Sequence, residues 1–370
     1  MRLSMFLVPF ALTACTTQSS TSDQPTPLAH ALCPPPSVFD AAVCICENLD
    51  HVGDLIVEPG PGGVGAVGVN GKTSFVGRAE VAGNFIAWGG FSSVGATIGD
   101  SLVTPAGVSG TGTLSIAANA TIGGDLSCVG DVEIGGDLAL GGAEQVVGSL
   151  TSANRTAYAA PAAPPCDCDP STFFDVTAAV DAAKQVTGGH TSWDHVGASE
   201  IHLAGGNYFV TSANVVGLTK IFVDGSASVY VEGSLASVGA AQWELAPGAT
   251  LDLFVSGSVG SVGQLRIGNA ADPTAFRLYI GGGDDVTVGA VGQSELAGSI
   301  YAPRATLAYV GDARITGSIF AKSIRGVGEL SIVYGDGSTQ PTSCEPEGDG
   351  DGDGDGDGGE TGDGGTPIFL

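Results

Sequence analysis

A phrase of eight residues occurs twice in this chain, nineteen residues apart. LAGSIYAP at residues 296–303 returns as ITGSIFAK at residues 315–322. If the two copies form neighbouring strands about 4.8 Å apart, Ile300 and Ile319 stack on each other inside, and the aromatic residue after each points to the opposite face. The repeated glycine suits the sharp bend at a corner. Because such a coil buries its apolar face only against another coil, the spacing predicts a parallel β-solenoid.

The same kind of pattern fills most of the chain. Over residues 50–140 and 201–334, short runs of Val, Ile, Leu and Thr alternate with Gly, Ser, Asn and Asp. Short strands at regular intervals with turn residues between them indicate stacked repeats. The predicted fold class is therefore all-β, with a first solenoid region at residues 33–168 and a second at residues 190–340.

Residues 169–189 break the strand pattern. Apolar residues in DPSTFFDVTAAVDAA fall on one helical face. Asp169 can cap the start, Pro170 fits the first turn, and Gly188 and Gly189 can end the segment. The segment predicts one amphipathic helix of about 16 residues, lying on the solenoid as a lid or cap.

The N-terminus has the features of an export signal. Residues 1–14, MRLSMFLVPFALTA, contain one Arg, a short apolar run and small residues before Cys15. A cysteine directly after LTA resembles the bacterial lipoprotein box, which implies lipidation of Cys15 and, with Thr16 after it, sorting to the outer membrane. The polar, Pro-containing residues 15–32 predict a disordered tether. We expect a lipid-anchored protein at the outer membrane or cell surface; the alternative is an ordinary secretory signal with an incidental Cys15.

The C-terminal tail, residues 341–370, is acidic and of low complexity. The formal net charge of the chain is −27, and the tail contains nine acidic residues and no basic one. With no basic stripe in the chain, we expect no nucleic-acid partner. Six tail residues match positions 1, 3, 5, 7, 9 and 12 of an EF-hand loop: Asp349, Asp351, Asp353, Asp355, Asp357 and Glu360. A solvated tail is the first interpretation, and weak Ca²⁺ binding is the alternative. No other cofactor is predicted.

The remaining cysteines predict disulfides, because an exported chain meets an oxidising environment. The candidates are Cys33, Cys44, Cys46, Cys166, Cys168 and Cys344. Six cysteines allow 15 pairings, although the two Cys-x-Cys pairs flank the first region and are placed to cross-bridge. Cys128, in a strand-like run, is the expected free and buried thiol. A four-thiolate zinc site is the alternative use of the two pairs.

Several segments resemble a known kind of surface domain. GRAEVAGNFIAWGGFSSVG (residues 77–95), WELAPGATLDLFVSGSV (243–259) and GSIYAPRATL (298–307) are similar to segments of choice-of-anchor A domains, also called collagen-binding-like domains, and the later ones also to bactofilin-type β-helices. The resemblance covers roughly residues 50–335. It implies display at the cell surface and no catalytic residues.

Two groups of polar residues deserve a chemical interpretation. His190, Asp194, His195 and His202 follow the predicted helix, and imidazole with carboxylate can bind a divalent metal. No third ligand at a known spacing supports such a site. A glycosidase needs two carboxylates about 5–9.5 Å apart, whereas the adjacent Asp284 and Asp285 would point to opposite faces of a strand.

We therefore expect a non-catalytic outer-surface lipoprotein whose solenoid serves adhesion, display or envelope structure. Its expected partners are the membrane, through the lipid, and a surface glycan or matrix protein. One alternative is a secreted polysaccharide-active β-helix enzyme. Another is a self-polymerising envelope scaffold, because open coil ends can associate.

Overall fold

The computed structural model describes residues 39–161, 163–187, 190–282 and 287–335. It is a parallel β-solenoid of about 14 coils with one α-helix in the described residues, which confirms the predicted fold class. Each coil has three strand segments that form three sides of a prism. The predicted signal, the tether with Cys15, Cys33, and the tail with Cys344 and its acidic residues all lie outside the described residues.

The first run of coils, which we call the upper run, extends from residue 43 to residue 156. Its strands pair in parallel with strands one coil away. They are β1 (Val43–Ile45), β2 (Leu49–Glu58), β3 (Val67–Val69), β4 (Thr73–Val76), β5 (Ala79–Val81), β6 (Phe85–Ala87), β7 (Phe91–Ile98), β8 (Leu102–Thr104), β9 (Val108–Ile116), β10 (Ala120–Ile122), β11 (Leu126–Val129), β12 (Val132–Ile134), β13 (Asp137–Leu140), β14 (Glu144–Val147), β15 (Leu150–Thr151) and β16 (Asn154–Thr156).

The second run, which we call the lower run, extends from residue 190 to residue 334. Its strands are longer because several continue around a corner without a break. They are β17 (His190–Ser192), β18 (His195–Leu203), β19 (Gly206–Val223), β20 (Ala227–Val231), β21 (Leu235–Leu245), β22 (Leu251–Val255), β23 (Val259–Gly268), β24 (Phe276–Ile280), β25 (Thr287–Ala297), β26 (Ser299–Gly317) and β27 (Ile319–Tyr334).

The two runs form one stack, in an order that differs from the order of the chain. β27, the last strand, pairs in parallel with β1 and β2, the first strands. The chain therefore enters the stack in the middle, climbs the upper run to one end, and returns outside. It then starts again at the opposite end and climbs the lower run back to the middle. We call the contact between β27 and the first two strands the junction.

Apolar columns fill the interior of the prism. Ile300 is in register with Ile319, which in turn pairs with Val43 across the junction. Ile300 and Ile319 are 5% and 1% exposed, as the repeated phrase predicted. In the upper run, Phe75, Phe85 and Phe91 pack edge to face, with ring centroids 5.2–6.0 Å apart. Such pairs add to the free energy of burial, so the aromatic cluster stabilises these coils.

Residues 157–161 and 163–175, which we call the connector, return along one side of the stack. Disulfides join Cys44 to Cys166 and Cys46 to Cys168, with Cα atoms 5.8 and 5.5 Å apart. These are the cross-bridges that the Cys-x-Cys pairs predicted, and they use these four thiols without zinc. They fasten the connector to the first strand of the upper run, next to the junction. Cys128 is free and buried.

The helix α1 (Val176–Val186) is shorter than predicted and begins later. Asp169 does not cap it, because its carboxylate accepts hydrogen bonds from the amide and hydroxyl of Ser171 in a separate turn. Asp175 caps α1 instead, by accepting a hydrogen bond from the Ala178 amide at 2.9 Å. The helix covers a side of the lower run rather than an end of the stack. No described helix is long and apolar enough to span a membrane.

Beneath the connector and α1 lies an aromatic column, and we call this side of the prism the covered side. Tyr230, Phe254 and Tyr279 stack nearly parallel, with centroids 4.8 and 4.7 Å apart. The Phe174 amide donates a hydrogen bond to the Tyr301 hydroxyl at 2.8 Å. Burial raises the pKa of Tyr301 to about 12. The apolar face of α1 therefore has its partner, and the other two sides of the prism remain open.

Candidate interaction surface

The described histidines of the predicted metal-binding group have separate neighbours. His190 packs on Phe209, whereas His202 stacks on Phe222 and lies 3.6 Å from Asp224. No three His, Cys, Asp or Glu residues among those described are placed to hold a metal. Asp284 and Asp285 lie outside the described residues, so the structure says nothing of them.

Two carboxylates, those of Asp252 and Asp194, each accept several hydrogen bonds from neighbouring side chains and have structural roles. Asp252 is fully buried and accepts two hydrogen bonds from the guanidinium of Arg277, which is itself 3% exposed. Asp194 accepts hydrogen bonds from the hydroxyls of Ser192 and Ser212 and from the side-chain amide of Asn214, and these hold its pKa well below its usual range. Both carboxylates link adjacent coils, and neither faces a second carboxylate across a cleft in the described residues.

One corner of the prism is a column of glycines. In the lower run and at the junction the members are in register from coil to coil: Gly197, Gly217, Gly239, Gly263, Gly292, Gly311, Gly328 and Gly53. The column continues through Gly77, Gly95, Gly112, Gly130 and Gly148. All have positive φ, and a Cβ at Gly263 would lie 2.0 Å from the Gly239 carbonyl oxygen. Only glycine can make this corner.

The residue before each corner glycine points outward and is almost always valine. The exposed members are Val196, Val216, Val238, Val262, Val291, Val310, Val327, Val52, Val76, Val94, Val129 and Val147, with Thr111 at the one remaining rung. Their exposed fractions range from 46% to 89%. A contiguous exposed apolar row of this kind is unusual on a monomer and marks an interaction site.

A second outward column runs beside the valines, two residues earlier in each strand. Its members, in stack order, are Asp194, Asn214, Ala236, Gly260, Gly289, Ala308, Arg325, Asp50, Ser74, Ser92, Ser109, Ser127 and Gln145. We call the side formed by these two columns the valine side. Arg325 and Asp50 are charged members at two adjacent rungs near the middle, which meet at the junction. Asp194 is the third charged member, at the lowest rung, where its carboxylate accepts hydrogen bonds from Ser192, Ser212 and Asn214. The other rungs carry small or uncharged side chains.

The valine side differs sharply from its open neighbour. The third side, which we call the charged side, carries in the lower run an outward column of Glu200, Lys220, Gln242, Arg266, Glu295 and Arg314. A shallow groove of about 490 Å³ runs along the centre of the valine side, where it is lined by Val52, Val310 and Val327 and, in the neighbouring column, by Ala308, Arg325, Asp50 and Ser74. An open, mainly apolar side next to a charged one gives the stack a directional binding surface.

The upper end of the stack is closed by charge. In the inward columns, Glu144 stacks on Leu126 and Arg155 stacks on Leu138, where the coils below have apolar residues. The Glu144 carboxylate pairs with the Arg155 guanidinium, and both side chains are partly exposed. A further coil placed on this end would bury the ion pair, which is unfavourable. Charged ends of this kind also prevent unwanted strand pairing.

Sequence reasoning missed the valine side, although its signal is present. The dipeptide Val-Gly marks nearly every coil. Its spacing varies with the length of the turns: Gly311 and Gly328 are 17 residues apart, whereas Gly263 and Gly292 are 29 apart. A search for a fixed period therefore does not find it.

Comparison with known proteins adds one match. No curated protein and no solved structure matches this chain. Residues 166–338 match the family model described as a domain of unknown function, DUF7305. The matched segment starts at Cys166 of the connector and includes α1 and the lower run, so this part of the chain is similar to a domain family that carries no assigned activity.

Proposed function

We propose that the protein is a non-catalytic rod displayed at the outer surface of the cell, where it makes stable contacts through its valine side. The observation that carries the proposal is the continuity of the valine column along a stack of about 14 coils. The corner glycine after each valine fixes its backbone. Because the surface is already ordered, binding to it loses little conformational entropy.

Three further features support surface display. The lipoprotein-like sequence ending at Cys15 favours export and anchoring. The two disulfides suit an oxidising compartment. The resemblance to choice-of-anchor A domains favours the same location.

The contact can be tested with a matched pair of variants. Val262→Ser with Val291→Ser changes the valine side, and Gln264→Ser with Gln293→Ser changes the charged side of the same coils, two residues beyond each valine. All four residues lie on strand surfaces, so both variants should fold. Retention of the full chain on immobilised surface glycans and matrix proteins, and its self-association, should fall at least tenfold in the valine variant alone. Equal retention and self-association by both variants would contradict the proposal.

The same experiment addresses the enzymatic alternative. A polysaccharide-active enzyme would release oligosaccharides from one of the glycans, whereas a binding rod retains or ignores the polymer without products. Chromatography of the soluble fraction after prolonged incubation makes the distinction. Release of products would overturn the non-catalytic assignment.

The anchor has its own test. Cys15→Ala should move the protein from the membrane fraction to the soluble fraction, because the acyl chains would be lost. Cys128→Ala, which changes a buried thiol, is the control and should remain with the membrane. Membrane retention of the Cys15→Ala protein would contradict the lipid anchor.

A further inference from the structure

We infer that the partner of the valine side is the valine side of a second copy of this chain, with the two stacks antiparallel. The inference rests on the proposed role of the valine side as the contact surface and names its occupant. The two copies associate side by side, and this differs from the end-to-end stacking that would build a filament. The ion pair of Glu144 and Arg155 at the upper end of the stack disfavours end-to-end stacking.

The position of the charges supports a two-fold arrangement. Between the Asn214 rung and the Gln145 rung of this column, Arg325 has five rungs below it and Asp50 has five rungs above it. The Asp194 rung lies one coil further down and has no counterpart at the upper end. A two-fold axis that passes between these central rungs, along the strand direction, reverses the stack. It places Arg325 opposite the partner's Asp50 and Asp50 opposite the partner's Arg325. Each of the two charges at the junction thus meets its opposite in the other copy, and the lowest rung, with Asp194, projects past the partner's upper end.

The same axis matches the valines. It places Val327 opposite the partner's Val52, Val310 opposite the partner's Val76, and Val291 opposite the partner's Val94. Further out, Val262 meets the partner's Thr111, Val238 meets the partner's Val129, and Val216 meets the partner's Val147, whereas Val196 at the lowest rung has no counterpart. Because most of these side chains are about half exposed in one copy, the pairing removes apolar surface from water along all the paired rungs. The self-complementary pattern is what an isologous interface requires.

The dimensions of the valine side also suit a stable dimer. With about 14 coils spaced about 4.8 Å apart, the side is about 60 Å long. Its strand segment of four residues is about 13 Å wide. The product, about 800 Å², equals the surface that each partner contributes to a standard stable interface.

The first experiment measures the mass of the full chain, carrying Cys15→Ala, by sedimentation at concentrations from 1 to about 100 μM. A dimer is expected in this range. Val262→Asp with Val291→Asp should raise the dissociation constant at least a hundredfold, and Gln264→Asp with Gln293→Asp should leave it unchanged. Thermal unfolding of each variant checks the fold. A monomer at every concentration would overturn the inference.

Charge reversal tests the antiparallel register. Arg325→Asp alone, or Asp50→Arg alone, should weaken the dimer, because like charges then face each other across the interface. The double variant Asp50→Arg with Arg325→Asp should restore it. Failure of the double variant to recover the dimer, with its fold intact, would overturn the antiparallel arrangement.

Cysteine crosslinking gives an independent measure of register. A mixture of the Val310→Cys and Val76→Cys proteins should form an intermolecular disulfide. Val310→Cys alone should not, because its two copies would be three rungs, about 14 Å, apart. Efficient crosslinking of Val310→Cys to itself would indicate parallel stacks and contradict the proposed register.

The results separate this inference from the proposed function. If the chain is monomeric but the variant with Val262→Ser and Val291→Ser loses retention on a glycan or matrix protein, the valine side is still the contact surface and only the second copy is wrong. If the valine variants change neither retention nor mass, both the proposed function and this inference fail.

Discussion

The hydroxyl of Tyr309 lies 2.6 Å from Nδ1 of His51, although the two residues are 258 positions apart. Tyr309 belongs to the lower run and His51 to the upper run. The ring of Tyr309 spans the coil between them because that coil has Gly326 at this position: a Cβ there would lie 2.1 Å from the Tyr309 ring. A buried hydrogen bond therefore links the two runs across the junction.

Removing this hydroxyl should weaken the junction. Tyr309→Phe leaves Nδ1 of His51 buried without its partner, which costs about 1–3 kcal/mol of the free energy of unfolding. Denaturant titration followed by circular dichroism measures the change. Tyr158→Phe, at a half-buried position in the connector, is the control and should remain close to the wild type. Equal stability of the two variants would mean that the hydrogen bond contributes nothing.

His51 should also make stability depend on pH. Burial lowers the pKa of His51 below the ordinary value of 6.5, although Asp54 partly opposes the shift. The unfolded chain then takes up a proton that the folded chain refuses, so stability is complete above about pH 6.5 and falls as the pH drops below it. Unfolding at pH 7.5 and pH 5.0 should show this loss in the wild type. His51→Gln should show a smaller difference; an equal one would assign the loss to other groups.

The corner glycines allow a comparison within one strand. Gly263 has φ +121°, and its Cβ would meet a backbone oxygen, whereas Gly260 has open space around its Cβ position. Gly263→Ala should therefore destabilise the protein by about 2 kcal/mol or more, through backbone strain and collision. Gly260→Ala should be neutral or stabilise by up to about 1 kcal/mol. Thermal melts of the two proteins give the difference, and similar melting temperatures would contradict the corner geometry.

The two disulfides should behave as one crosslink. Both have a sequence separation of 122 residues, so once one is closed, the other closes only a very small additional ring. The Cys46→Ser, Cys168→Ser variant should thus be nearly as stable as the wild type. Replacing all four cysteines should cost about 5 kcal/mol by the chain-entropy estimate. Denaturant titration under non-reducing conditions measures both, and a large loss in the first variant would contradict the argument.

The sequence predicts the interior of the coils well and their order in the stack poorly. Ile300 and Ile319 could be paired from the repeated phrase because their neighbours in sequence repeat as well. The pairing of Val43 with Ile319 could not, because the apolar edge of one coil accepts any other coil of similar width. The order of the two runs in the stack depends on the path of the connector and α1. That path is held by the two disulfides and by contacts between residues that are distant in sequence. The predicted start of α1 was wrong for a local reason, because Asp169 and Asp175 can both act as helix caps. The choice of Asp175 depends on the contact of the adjacent Phe174 with the aromatic column, which the sequence does not reveal.

The valine side was missed for a different reason. Each Val-Gly dipeptide is visible in the sequence, but an exposed valine cannot be told from a buried one without knowing which way the strand faces. Val327 points outward, whereas Val43, in another strand, is 2% exposed. The charges at Asp50 and Arg325 gain their meaning only when the junction brings them to the centre of one side.

Both ends of the described chain meet at the junction, since the Tyr334 hydroxyl donates a hydrogen bond to the Phe39 carbonyl at 3.2 Å. The two terminal segments of the described chain therefore leave the stack near its middle and not at its ends. If the chain before Phe39 is anchored at Cys15, the stack forms the crossbar of a T, with one arm built from each run. Coils gained or lost at either tip would lengthen or shorten one arm and leave the point of attachment where it is.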